Sequence, residues 1–132
     1  MTVLIVDDSR FARNILKSYL NEMPGVWDVF EAADGDEALH FLETRYAEEG
    51  TIDLILLDWN MPNMSGIEFL KKIKAQDIFK DINVIIVTSD GAKKNVIEAI
   101  KEGAADFLIK QVDPVILREK VINLFQKKHT RR

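Results

Sequence analysis

Cysteine is absent from the 132-residue chain. Disulfides and thiolate metal sites are therefore excluded, and a reducing, cytosolic setting fits the composition. Histidine occurs only twice, as His40 and His129, with no ligand spacing between them. His40 falls on a polar helix face and His129 in a basic tail, so neither reads as a metal ligand or phosphocarrier. No apolar run approaches the ~20 residues of a membrane span. The opening "MTVLIVDD" lacks the basic lead and cleavage site of a signal peptide. Positive charge is not in excess: 18 Lys plus Arg face 22 Asp plus Glu, for a net charge of -4. That balance argues against non-specific nucleic-acid binding. No repeat, low-complexity tract or linker interrupts the chain. The first apolar run leads into "DDSRF" and not into a Gly-rich turn, which disfavours a dinucleotide-binding module.

What remains is 47% hydrophobic and 30% charged, enough to bury the core of one compact domain. "TVLIVD" (2–7), "VWDVFEA" (26–32), "IDLILLD" (52–58), "INVIIVT" (82–88) and "DFLIK" (106–110) read as strands. Helical spacing separates and follows them. Phe11, Ala12, Ile15, Leu16, Tyr19, Leu20 and Met23 form the first apolar face, capped by Ser9 and ended at Pro24-Gly25. Asp34-Gly35 reads as a turn before a second helix carrying Ala38, Leu39, Leu42 and Tyr46. A third helix starts near Ser65. A fourth contains Val96 to Ile100, where Ala99, Val96, Ile100 and Ile97 span an arc of roughly 160°, wider than one core stripe needs. Asp113-Pro114 caps the fifth. Five strand–helix alternations with near-continuous apolar strands predict an α/β fold, a five-stranded parallel sheet with helices on both faces.

In such a sheet the binding crevice lies beyond the carboxyl ends of the strands. Strand one ends in Asp7-Asp8, strand three in Asp58, strand four in Thr88-Ser89 and strand five in Lys110. Three converging carboxylates repel one another unless a cation relieves them. Mg²⁺ suits oxygen ligands of this kind, and Lys110 supplies an ammonium. The set suits a phosphoryl group, with Asp7 and Asp8 holding the metal, Thr88 and Lys110 contacting phosphoryl oxygens, and Asp58 as nucleophile. Each residue alone has an ordinary explanation as a cap, a β residue or a solvated charge. Only their joint registration with strand ends lifts them. Trp59, beside Asp58, reads as a partly exposed packing residue.

The stretches "LIVDDSR", "EAADGDEAL", "LILLDWNMPNMSGIEFL", "VIIVTSD" and "GAADFLIK" resemble response-regulator receiver domains, especially the single-domain chemotaxis type. The resemblance implies a flavodoxin-like fold of strand order 2-1-3-4-5. Residues 1–128 form the receiver, followed by a basic tail at 129–132. It implies that Asp58 accepts phosphate from a histidine kinase. Asp8 and Asp58 bind Mg²⁺ directly, joined by the Asn60 backbone carbonyl, with Asp7 acting through water. Thr88 and Lys110 sense the phosphoryl group, while Asn60 and Asp90 tune dephosphorylation. The face of helix four, strand five and helix five repacks, and Lys93, Val96, Ile100 and Lys120 form its partner patch. Phe107 stands where these relatives carry a switching tyrosine. Gln111 stands where receivers usually have proline after the lysine, and a cis peptide is far less favourable without proline.

The expected function is a stand-alone, cytoplasmic, monomeric switch. It is not a metabolic enzyme, has no output domain after helix five, and touches neither nucleic acid nor membrane. Its expected target is a flagellar motor switch protein, with a phosphatase as a further partner. One alternative is a phosphorelay intermediate that passes phosphate to a histidine phosphotransfer protein. Another is an aspartyl-nucleophile phosphatase, but Asn60 occupies the place of the second acid that such enzymes use and cannot protonate a leaving group.

Overall fold

Five parallel strands form one sheet in the order β2-β1-β3-β4-β5. They are β1 (Thr2–Val6), β2 (Asp28–Ala32), β3 (Leu54–Asp58), β4 (Asn83–Thr88) and β5 (Asp106–Ile109). The connecting helices are α1 (Arg10–Asn21), α2 (Gly35–Glu48), α3 (Gly66–Lys74) and α4 (Lys93–Lys101), with α5 (Pro114–Thr130) at the end. The computed structural model describes residues 1–26, 28–48, 50, 52–89 and 93–130, and only the backbone of Tyr46, Lys93 and residues 127–130. The expected tail boundary falls inside α5, which continues through Thr130.

Period-two alternation sends neighbouring strand residues to opposite faces. Leu4, Val6, Ile55, Leu57, Val84 and Ile86 pack with Leu42 of α2, Phe69, Leu70 and Ile73 of α3, and Ala99 of α4. Val3, Ile5, Leu54, Leu56, Ile85 and Val87 pack with Leu16 and Leu20 of α1 and Leu117 and Val121 of α5. Both faces are thus covered, which is why the strands are apolar throughout.

Strand ends differ from the sequence reading by one or two residues, for visible reasons. Asp53 leaves the third strand because its carboxylate accepts the Thr2 N–H at 2.8 Å. Asp7 lies just past β1, yet its N–H still donates to Ala32 O at 3.1 Å. Asp34-Gly35 is the start of α2 and not a free turn: the Asp34 carboxylate accepts the Glu37 N–H at 2.8 Å. Ser9 caps α1 as expected, accepting the Ala12 N–H at 3.2 Å. Phe11 does not join the apolar face of α1. It is 75% exposed. The wide apolar arc of α4 divides: Ala99 is buried and Val96 half-buried, while Ile97 and Ile100 face outward.

Candidate functional site

The strand order makes β1 and β3 direct neighbours, and Val6 pairs with Leu57. The next residues outward, Asp7 and Asp58, therefore emerge side by side. Asp7, Asp8 and Asp58 each place a carboxylate oxygen within 4.8 Å of the others. Asp7 is 1% exposed and Asp58 5%, whereas Asp8 is open to solvent. Asp58 pairs in register with Val87, which puts Thr88 one step further out on β4. Thr88 pairs with Ile109 on β5, so Lys110 follows at the same edge. The Lys110 N–H donates to Thr88 O at 2.8 Å.

Lys110 Nζ lies 2.8 Å from Asp7 Oδ2 and 3.5 Å from Asp58 Oδ1. Among the described residues, this ion pair is the contact to the buried Asp7 Oδ2, which has no further hydrogen-bond donor. Asp7 Oδ1 accepts the Ser9 N–H at 2.8 Å. Burial pushes the Asp58 carboxyl up to about 6, and the negative charge of Asp7 adds to the rise. Lys110 and the Asn60 N–H hold it back. Burial alone lowers the Lys110 ammonium, but its contact with Asp7 and the charge of Asp58 outweigh that, and its pKa ends above the usual lysine value. The Lys110–Gln111 peptide is cis.

Three hard oxygen donors at this spacing, one carrying a buried oxygen with unused acceptor capacity, fit a divalent cation that prefers oxygen. The structure thus brings together Asp7, Asp8, Asp58, Thr88 and Lys110. Asn60 joins them through its N–H to Asp58. Asp90 lies outside the described residues, as does the side chain of Lys93.

Trp59 is 9% exposed, buried and not partly exposed, because the loop after β3 folds back over it. The Gly66 N–H donates to Trp59 O at 3.0 Å. Ser65 caps α3, and its hydroxyl oxygen accepts the Glu68 N–H at 3.3 Å. Trp59 lines a cleft with Ile86, Thr88, Asn95, Val96, Ala99 and Phe107. At about 10 Å³ this cleft is no larger than one water and cannot receive an aromatic ring without repacking. Phe107 is half-buried beside it. Lys120 Nζ sits 5.6 Å from the Phe107 ring centroid and 2.8 Å from Asp106 Oδ1. Asp106 Oδ1 also accepts the Phe107 N–H at 2.8 Å.

Two features escaped the sequence reading. Gly66 is buried against the backbone of Asp58 and Trp59. Its only sequence signal is a glycine at a helix start, where a better helix former would be usual. Arg13 and Glu31 form an ion pair at 3.1 Å beside the acidic cluster. That pairing has no local sequence signal.

Residues 3–122 match the family model of the response regulator receiver domain. The chain is 38% identical over 121 residues to the chemotaxis protein CheY1 of Helicobacter pylori, covering 92% of this chain and 94% of that protein. It is also 38% identical to a chemotaxis protein CheY homolog of Campylobacter jejuni, covering 92% of this chain and 89% of the relative. Among solved structures, the CheX-CheY-BeF3-Mg+2 complex of Borrelia burgdorferi matches with a TM-score of 0.81 at 33% identity, over 95% of this chain and 89% of that one. Fold, strand-end carboxylates and sequence matches agree: the chain belongs to the response regulator receiver domain family.

Proposed function

We propose that the chain is a stand-alone response regulator in which Asp58 accepts a phosphoryl group from a histidine kinase. The observation that carries this reading is the meeting of the Asp7, Asp8 and Asp58 carboxylates within 4.8 Å, with Lys110 Nζ between Asp7 and Asp58. An Asp58 oxygen attacks phosphorus, and the new O–P bond forms as the donor's N–P bond breaks. Lys110 offers its ammonium to the developing charge, and the Thr88 hydroxyl donates to another phosphoryl oxygen. Asp8 and Asp58 would hold Mg²⁺ directly, with the Asn60 carbonyl and with Asp7 through water. The bound cation would supply charge neutralisation for carboxylates and phosphoryl oxygens alike. Asn60, and Asp90 after β4, would govern access of the hydrolytic water.

The Borrelia burgdorferi relative holds BeF3 and Mg+2 in a complex with CheX. That supports Mg²⁺ here, and a protein partner that engages the activated form. The chemotaxis relatives favour a flagellar motor switch protein as the downstream target. A cytoplasmic, monomeric protein that binds no nucleic acid accords with this reading. In the test, the protein is incubated with Mg²⁺ and acetyl phosphate. It should gain one phosphate, labile to hydroxylamine and mapping to Asp58. Equal labelling at another residue would sink the assignment.

The output face would be α4, β5 and α5, with Lys93, Val96, Ile100 and Lys120 as its contacts and Phe107 as its switch. Asp106 pairs with Lys120, whose ammonium lies 5.6 Å from the Phe107 ring centroid, so Lys120 would act together with the ring. Phe107→Tyr adds a hydroxyl worth roughly 0.5–1.5 kcal/mol if it gains a partner in one of the two packings. Lys120→Met removes a cation–π contact of roughly 0.5–1 kcal/mol. Both should change the affinity of the beryllofluoride-loaded protein for a flagellar switch protein by about two- to tenfold. Neither should alter the rate of Asp58 labelling. Wild-type affinity in both variants would remove Phe107 from the switch.

A further inference from the structure

We infer that Arg13 is a positioning residue for the acidic cluster, setting the peptide plane between Asp7 and Asp8 through a fork anchored on Glu31. The inference rests on the reading of that cluster as a divalent-cation site. Arg13 Nη1 donates to the Asp7 carbonyl oxygen at 2.8 Å, while Nε donates to Glu31 Oε1 at 3.1 Å. The side chain is 15% exposed, so this is an enclosed contact and not a solvated surface pair. Glu31 is held from its other side by Lys17, 3.5 Å from Oε2.

The geometry gives the contact its consequence. A peptide unit is planar, so fixing the Asp7 carbonyl also fixes the N–H of Asp8 and the direction in which Asp8 leaves the strand end. Asp7 is tied to β2 twice. Its N–H donates to Ala32 O at 3.1 Å, and its carbonyl is tied to Glu31, the neighbour of Ala32, through Arg13. Asp7 is buried and braced by its surroundings, but Asp8 is exposed. The orientation of Asp8 therefore depends on the peptide plane that Arg13 holds. A planar guanidinium can direct two N–H bonds along fixed directions, whereas a lysine ammonium is a single point on a flexible stem.

Positioning and simple charge predict opposite signs. As a charge, Arg13 repels a cation in the cluster, so its loss should tighten Mg²⁺ binding. As a positioning group, its loss should loosen it. The experiment titrates Mg²⁺ alone against Trp59 fluorescence, after Trp27→Phe has removed the other of the two tryptophans. Arg13→Gln should weaken Mg²⁺ binding by about tenfold, the scale typical of groups that orient metal ligands. Arg13→Lys keeps the charge, loses the fork, and should weaken it similarly. Glu31→Gln should give a smaller loss, and the double variant should be no worse than Arg13→Gln, because the pair acts as one unit. Tighter binding in Arg13→Gln with an unchanged Arg13→Lys overturns the inference. So does a lower Tm with unchanged Mg²⁺ affinity, which is what a merely structural contact would give. Asp8→Asn separates the two levels: wild-type Mg²⁺ affinity in that variant would overturn the cation site itself, and with it the role of Arg13.

Discussion

Asp58→Asn should leave the protein unable to take up phosphate and, without metal, more stable than the wild type above about pH 6. The second half follows from where the carboxylate sits. Asp58 is 5% exposed beside Asp7, and its pKa is raised from 3.8 to about 6 in the folded state. A raised carboxyl pKa means that the folded chain holds its proton while the unfolded chain has already released it. Stability is therefore greatest below about pH 4 and is lost as pH rises towards 6. Above that window the charged carboxylate costs on the order of 3 kcal/mol. Asparagine removes the charge, and its side-chain oxygen can still accept the Asn60 N–H. Lys110 keeps its contact with Asp7 at 2.8 Å. Denaturant midpoints of the two proteins should converge near pH 4 and separate towards pH 7, with the variant higher. If Mg²⁺ is held through the same oxygens, as proposed, it should narrow the gap by binding only the folded wild type. Parallel curves across that range would mean that Asp58 is not desolvated in the folded state.

This cost explains why the acids at the strand ends were legible and their surroundings were not. A charge that ends an apolar run stands out in the sequence, because burial penalises it without a compensating role. Asp7, Asp58 and Lys110 end the first, third and fifth runs, and a parallel sheet brings such ends to one edge. The Arg13–Glu31 fork carries no such mark. Its members lie 18 residues apart on α1 and β2, and only the packing of that helix over that strand joins them. Helix periodicity likewise placed Val96, Ile97, Ala99 and Ile100 on one arc but could not say how the arc is rotated over the sheet. The rotation leaves Ile97 and Ile100 exposed at 47% and 46%. Trp59 has no periodic neighbours to reveal its burial, which depends on the turn after β3 folding back upon it. Phe107 was legible as a departure from the family pattern, but the approach of Lys120 to its ring and the pairing of Lys120 with Asp106 were not.

Gly66→Ala should be the most damaging single-methyl change near the site. Its backbone φ is not in the left-handed region, so the constraint is space and not conformation. A Cβ at Gly66 would lie 2.5 Å from Asp58 O, 2.9 Å from Trp59 Cα and 3.1 Å from Trp59 O. These are backbone atoms, so no side chain can swing aside. Either α3 withdraws from the sheet edge or the end of β3 shifts. Alanine's better helix propensity returns only about 1 kcal/mol. Overpacking against backbone costs up to about 3 kcal/mol, so a net loss of about 2 kcal/mol is expected. The shift also moves the acid itself, because the clashing oxygen is the carbonyl of Asp58. Labelling by acetyl phosphate should therefore fall about tenfold or more even in the fraction that remains folded, as expected when a reacting group is misplaced by a fraction of an ångström. Gly103→Ala is the matched control. Gly103 has φ +108, so alanine there is strained, and the nearest atoms to its Cβ would be carbons of the Lys74 side chain at 3.2 Å. That variant should lose stability while labelling Asp58 normally. If Gly66→Ala keeps both wild-type stability and wild-type labelling, the close approach of α3 does not hold Asp58 in place.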